Sequence, residues 1–150
     1  MTEMANAVAD LVRQFENIYV EHMQDLPIVN PRVQVEAVGF QKFGVHQLGV
    51  LITPWFMNLI LLPGSEEWST TAQGDTSVIE FPSGPMEFTS CHDASIGTYL
   101  SAVLFRSVSD LSDQPMAVEL ARQVMNNLFL EGHVKGRLSR RELLTGLRTR

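Results

Sequence analysis

The run GVLITPWFMNLILLPG, Gly49 to Gly64, is almost devoid of polarity, yet a proline followed by a tryptophan interrupts it. Three readings compete for it: a membrane anchor, a buried core strand, or an apolar surface kept for a partner. A transmembrane helix needs about 20 unbroken apolar residues. This run is shorter and contains Pro54 and Asn58, which excludes the anchor. In a strand, successive side chains point to opposite faces. If Val50, Ile52, Leu59 and Leu61 face a core, then Leu51, Trp55, Phe56, Ile60 and Leu62 cannot all do so. Either helices cover both faces, or part of this surface is left for a partner. Central strands are commonly buried on both sides, which accounts for the aliphatics. Trp55 and Phe56 differ, because Pro54 removes a ladder donor and sets its aromatic neighbours at a strand end or sheet edge. Large aromatics in such places are frequent interface anchors.

Around this run the chain reads as one α+β domain over residues 1–132, followed by a basic tail at 133–150. Met4, Val8, Leu11, Phe15, Ile18 and His22 recur every three or four residues, the stripe of an amphipathic helix ending before Pro27. VNPR at 29–32 is a turn. Val33–Phe43 and His46–Thr53 read as neighbouring strands and Met57–Leu62 as a third. Val78–Phe81 and Met86–Thr89 flank the hairpin turn PSGP. The stretch IGTYLSAVLFRSV, 96–108, reads as a strand, with a helix as the alternative. Ser112 or Asp113 caps a last helix, Pro115 suits its first turn, and Ala117, Leu120, Ala121, Val124, Met125 and Leu128 form its stripe. The expected architecture is a mainly antiparallel sheet of about five strands, with the N-terminal and C-terminal helices packed together on one of its faces.

Charge is unevenly distributed. Residues 1–132 hold 5 Lys or Arg against 16 Asp or Glu, a net of −11, while residues 133–150 hold six basic side chains against Glu142 alone, a net of +5. An acidic body argues against nucleic acid as the main partner. The opening MTEMANAVADLVRQFE sets acids among its apolar residues and lacks a basic leader region, so no secretory signal is expected. One cysteine forms no internal disulfide. A cytoplasmic protein without an integral membrane segment is the expectation.

No catalytic pattern emerges. Cys91, His92 and Asp93 are consecutive, so on an extended chain Cys91 and His92 point apart rather than toward each other. The four histidines, His22, His46, His92 and His133, are scattered, and none lies at a metal-binding spacing. No cofactor and no bound nickel, iron or zinc are expected, and the protein is not expected to be an enzyme.

Three segments, VGFQKFGVHQLGVLITPWFMNLILLPG, FPSGPMEFTSCHDASIGTYLSAVLF and SRRELLTG, together resemble the HybE/HupJ family of nickel–iron hydrogenase assembly chaperones. The similarity runs from about Phe15 to Gly146, and the TPW step, the apolar run after it and LPG are its most specific part. Where many relatives have Tyr-x-x-Cys-Ser-Leu, this chain has Tyr99-Leu100-Ser101-Ala102-Val103-Leu104. The missing cysteine counts against thiol or metal chemistry at that position. The resemblance implies an accessory protein for membrane-bound uptake hydrogenases. Such a protein holds the small-subunit precursor, with its twin-arginine signal, and coordinates its joining with the large subunit before export. On this reading the TPWF step is a kink in a core strand that displays aromatics to the client. The candidate client-binding residues are Thr53, Pro54, Trp55, Phe56, Met57, Phe81, Tyr99, Arg140 and Arg141. SRRELL lies where it cannot be an export signal; the basic tail reads as a solubilising end, with a client or membrane contact as the alternative. A different class of function, a small redox or cluster-handling factor acting through Cys91, is the second reading.

Overall fold

The computed structural model of the protein describes residues 2–64, 74–93, 96–105 and 107–130. The basic tail with Arg140 and Arg141, and the domain boundary expected at residue 132, lie outside the described residues. The order of elements is α1 (Thr2–Ile18), a π-helical turn (Tyr19–Met23), β1 (Glu36–Phe43), β2 (His46–Thr53), β3 (Phe56–Leu62), β4 (Thr76–Phe81), β5 (Gly84–Asp93), β6 (Gly97–Phe105) and α2 (Gln114–Leu128). The strands form one antiparallel sheet in the order β1-β2-β3-β6-β5-β4. The ambiguous stretch at 96–108 is thus a strand over Gly97–Phe105, and it brings the sheet to six strands rather than about five.

Burial follows the two-residue period of the strands, but on both sides. Leu48, Val50 and Ile52 of β2 and Met57, Leu59 and Leu61 of β3 pack with Ala117, Ala121, Val124 and Leu128 of α2. Their alternates Leu51, Ile60 and Leu62 pack with Leu11 and Phe15 of α1. The helices therefore lie on opposite faces, which overturns the expectation that they share one. The reason is in the composition of β2 and β3. A single helical layer would leave Leu51, Ile60 and Leu62 in water, and burying each such side chain stabilises the fold by about 1.5–3 kcal/mol.

The sheet also curls. Phe43 at the end of one edge strand and Phe81 at the end of the other lie ring to ring, 5.3 Å apart, and both meet Phe129 just beyond α2. Ser83, in the β4–β5 turn, donates its backbone N–H to Leu128 O at 3.1 Å. Gly39 supports this curvature from β1. It sits where the β1–β2 register shifts, has φ +71°, and a Cβ there would crowd Met125 of α2 at 3.2 Å. The next inward position on β2, Gly49, is a cradle for the ring of Phe40, which occupies the space a Cβ would need.

Helix α2 starts as its sequence suggests: Asp113 Oδ1 accepts the N–H of Met116 at 3.0 Å, with Pro115 in the first turn. Helix α1 ends differently. Gln24 N–H reaches Tyr19 O at 2.8 Å, an i→i+5 bond, and none of Tyr19–Met23 is buried. His22, expected to continue the apolar stripe, is exposed because the wider turn rotates it off the sheet.

Two-sided burial can be checked directly. Leu59→Ala and Leu51→Ala should each destabilise the protein by about 2–5 kcal/mol in chemical denaturation. A sheet with one wet face would show that loss for Leu59 alone.

Candidate functional site

The decisive apolar run is a hairpin, not one kinked strand. Thr53 pairs with Phe56, leaving Pro54 and Trp55 as a two-residue loop between β2 and β3. Proline presets φ for the first loop position of such a turn. The side chain of Thr53, which has no exposed surface, completes it. Its Oγ1 accepts the N–H of Trp55 at 3.2 Å and that of Phe56 at 3.0 Å, and its hydroxyl donates to Phe56 O at 3.3 Å. A second clamp comes from the 29–32 turn. Asn30 donates its backbone N–H to Pro54 O at 2.8 Å, and its buried Nδ2 donates to Val108 O and Leu111 O, both at 2.9 Å. Its Oδ1 accepts the N–H of Arg32 at 3.0 Å. One side chain thus ties the turn, the segment after α1 and the approach to α2 together.

The turn carries an aromatic cluster. Tyr19 stacks on Trp55 with centroids 6.3 Å apart and planes 9° from parallel. Phe15 meets Phe56 edge-on at 5.7 Å and Trp55 at 6.4 Å, and Trp55 meets Phe56 edge-on at 5.6 Å. Trp55 and Phe56 are half-buried: Trp55 packs against Phe15 of α1 and Tyr19 of the π-helical turn, and Phe56 against Phe15 and Trp55.

The candidate residues separate into distinct places. Thr53, Pro54, Trp55 and Phe56 form this one turn. Tyr99 lies on the same face of the sheet but is only 7% exposed, beside Cys91. Met57 and Phe81 sit in the α2-side core, at 0% and 5% exposure, and present no surface to a client. Arg140 and Arg141 lie outside the described residues. Reading the sequence missed Asn30, which looks there like an ordinary turn residue. It also missed the pairing of Tyr19 with Trp55, although Phe15 and Tyr19 stand four apart on a helix and so share a face.

Cys91 pairs across the ladder with Tyr99, and His92 with Thr98, so the two side chains point to opposite faces. Thr98 Oγ1 lies 2.7 Å from His92 Nδ1. Burial pushes the Cys91 thiol above its ordinary range, and a hydrogen bond with the Tyr99 hydroxyl offsets only part of that. The Tyr99 hydroxyl is likewise pushed up, by burial first and then by the neighbouring Cys91 and Asp93. A thiol of this kind is a poor nucleophile. Among the described residues, no three His, Cys, Asp or Glu side chains gather as a metal site would require. No described helix is long and apolar enough to cross a membrane.

A family model described as "[NiFe]-hydrogenase assembly, chaperone, HybE" matches residues 6–146. The chain belongs to this HybE family. The hydrogenase expression/formation protein HupJ of Bradyrhizobium diazoefficiens is 38% identical over 144 residues, covering 94% of this chain and 84% of that protein. The solution structure of HybE from Escherichia coli superposes with a TM-score of 0.66 at 25% identity, over 81% of this chain and 76% of that one. A Rhodobacter capsulatus protein named probable rubredoxin HupJ is 43% identical over 123 residues, and there this chain spans only 44% of the relative's length. Iron–sulfur ligation draws on several cysteines, and this member of the HybE family has Cys91 alone.

Two outcomes follow from the site. Thr53→Val removes the acceptor for two backbone N–H groups and should destabilise the protein by about 1–3 kcal/mol in denaturant melts, whereas Thr53→Ser should retain most of the stability. With its pKa raised, Cys91 stays a neutral thiol at neutral pH. Its alkylation by iodoacetamide at pH 7 should be slower in the native protein than after unfolding, with the native rate rising only as pH climbs above the ordinary thiol range.

Proposed function

We propose that this chain is a non-catalytic cytoplasmic chaperone that holds the small-subunit precursor of a membrane-bound nickel–iron hydrogenase. In this reading it recognises the precursor with its twin-arginine signal in place and coordinates its joining with the large subunit before export. The observation that carries the proposal is the β2–β3 turn. A hairpin buried on both faces along its length holds two partly exposed large aromatics at its tip. Preorganised aromatics of this kind bind without ordering a loop first. Membership of a hydrogenase assembly family supplies the class of client. Trp55 and Phe56 are the residues proposed to meet it, held in place by the buried Thr53 and Pro54, with Arg140 and Arg141 as further candidates. The alternative of redox or cluster handling through Cys91 is disfavoured by a half-buried thiol with a raised pKa and no second cysteine.

The tagged chain should recover a hydrogenase small subunit from cells expressing the hydrogenase operon; recovery of neither subunit, even after crosslinking, would count against the proposal. Trp55→Ala should weaken that association by about 2 kcal/mol, roughly thirty-fold, the scale of a hot-spot aromatic. Its loss of folding stability should stay below the about 3–5 kcal/mol of a fully buried ring. Cys91→Ser should leave hydrogenase maturation intact.

A further inference from the structure

The two edges of the sheet are finished differently. At β1 the register shifts between Val38 and Gln41, Gly39 turns the strand with φ +71°, and Lys42 lies near its end. Gln114 of α2 also holds the approach to β1, accepting the N–H of Gln34 at 2.7 Å and donating to Gln34 O at 3.3 Å. Bulges, lysines and a covering element are the usual guards against edge-to-edge pairing. Strand β4 has none of them. Thr76–Phe81 keeps an unbroken register against β5, contains no Lys, Arg, Pro or Gly, and carries Glu80 as its one charge. Thr76, Ser77, Val78 and Glu80 are exposed, Val78 at 62%, while the Phe81 end packs against Phe43 and Phe129.

The ladder fixes which backbone groups of β4 are free. Ser90 donates its N–H to Asp75 O at 2.7 Å, and Phe81 pairs with Gly84 across a two-residue turn. Both make Asp75, Ser77, Ile79 and Phe81 the hydrogen-bonded positions facing β5. The N–H and C=O groups of Thr76, Val78 and Glu80 therefore point away from β5, to the open edge. Among the described residues, no hydrogen bond from outside the ladder reaches these three. Their side chains share the face opposite that of Ile79 and Phe81, which join the α2-side core.

We propose that β4 is a strand-addition edge whose occupant is the β4 of a second copy of this chain, paired antiparallel about Val78. That register alone engages all three free residues on both sides: Val78 meets the partner's Val78, and Thr76 meets the partner's Glu80 at each end. It forms about six backbone hydrogen bonds and joins two six-stranded sheets into one. The two exposed valines cover each other, and neither Glu80 faces a carboxylate. A shift of the register either way sets Val78 against Glu80 or Thr76 and leaves free groups unpaired. Strands β6 and β5 separate β4 from β3, so the pairing uses no residue of the β2–β3 turn.

The test is sedimentation of the full chain over a concentration series. A contact of this size is transient, so monomers should give way to dimers between about 0.01 and about 1 mM. Both copies carry a net charge of −6, so the dimer should tighten as salt rises from about 0.01 to about 0.15 M. Val78→Lys sets two like charges across the axis, and Val78→Pro removes an N–H that β5 does not use; each should weaken the pair about fivefold or more. At concentrations where the unaltered chain is monomeric, Val78→Lys should leave thermal unfolding unchanged, because the side chain is exposed. Thr76→Lys gains a charge opposite the partner's Glu80 and should tighten the pair about twofold or more. Glu16→Gln, the same change in net charge away from β4, should tighten it less. Amide exchange at Thr76, Val78 and Glu80 should slow as concentration rises. A monomer throughout the range, or a dimer indifferent to Val78→Lys, would overturn the pairing. So would a dimer that weakens with salt, which would give the contact to the basic residues 133–150 on a neighbour's acidic body. Slowed exchange that appears only on adding hydrogenase subunits would overturn it too, and would give the edge to a client.

Discussion

Strands β2 and β3 present aliphatic side chains to both faces, so the sheet is stable only when a helix covers each side. Leu51 and Ile60 on one face are as inaccessible as Leu59 and Val50 on the other. The rest of the architecture answers that demand. The sheet curls until Phe43 and Phe81 of its two edge strands meet, enclosing α2, and α1 closes over the opposite face through Leu11 and Phe15. Each helix is amphipathic and draws most of its stability from packing its apolar face, so sheet and helices stabilise one another.

The rigidity this creates is delivered to one place. Strands β2 and β3 meet at the Thr53–Phe56 turn, where the N–H groups of Trp55 and Phe56 are satisfied by a buried threonine hydroxyl and the Pro54 carbonyl by Asn30. Asn30 also anchors the approach to α2 through Val108 and Leu111, so it ties the turn, the segment after α1 and the entry to α2 together. A turn so determined holds Trp55 in place without burying it fully. That combination, an aromatic with fixed position and free surface, is what an interface anchor needs.

Within the HybE family the chain combines an acidic body with a two-sided core, and a relative's solved structure carries the fold at 25% identity. The R. capsulatus relative extends well beyond the part that this chain matches. The lone thiol, half-buried and held protonated by its surroundings, is consistent with a role in packing against Tyr99 rather than in chemistry.

Local patterns in the residues were enough for most of the elements. Alternation placed β1 through β3, PSGP placed the β4–β5 turn, and Asp113 with Pro115 placed the start of α2. The resemblance carried by TPW and LPG was enough for the family. Three matters depended on distant parts of the chain meeting. Which face each helix takes is set by long-range packing, because periodicity shows that a strand has two apolar faces but not what covers them. Thr53-Pro54-Trp55-Phe56 is a hairpin rather than a kink because the threonine hydroxyl and Asn30, remote in sequence, satisfy the turn's polar groups. Phe81 belongs to the core because the curled sheet brings it against Phe43 and Phe129, and Met57 because it shares the α2 face of β3 with Leu59 and Leu61. The sequence by itself determined the elements and the family; the tertiary structure decided which apolar residues are left facing water.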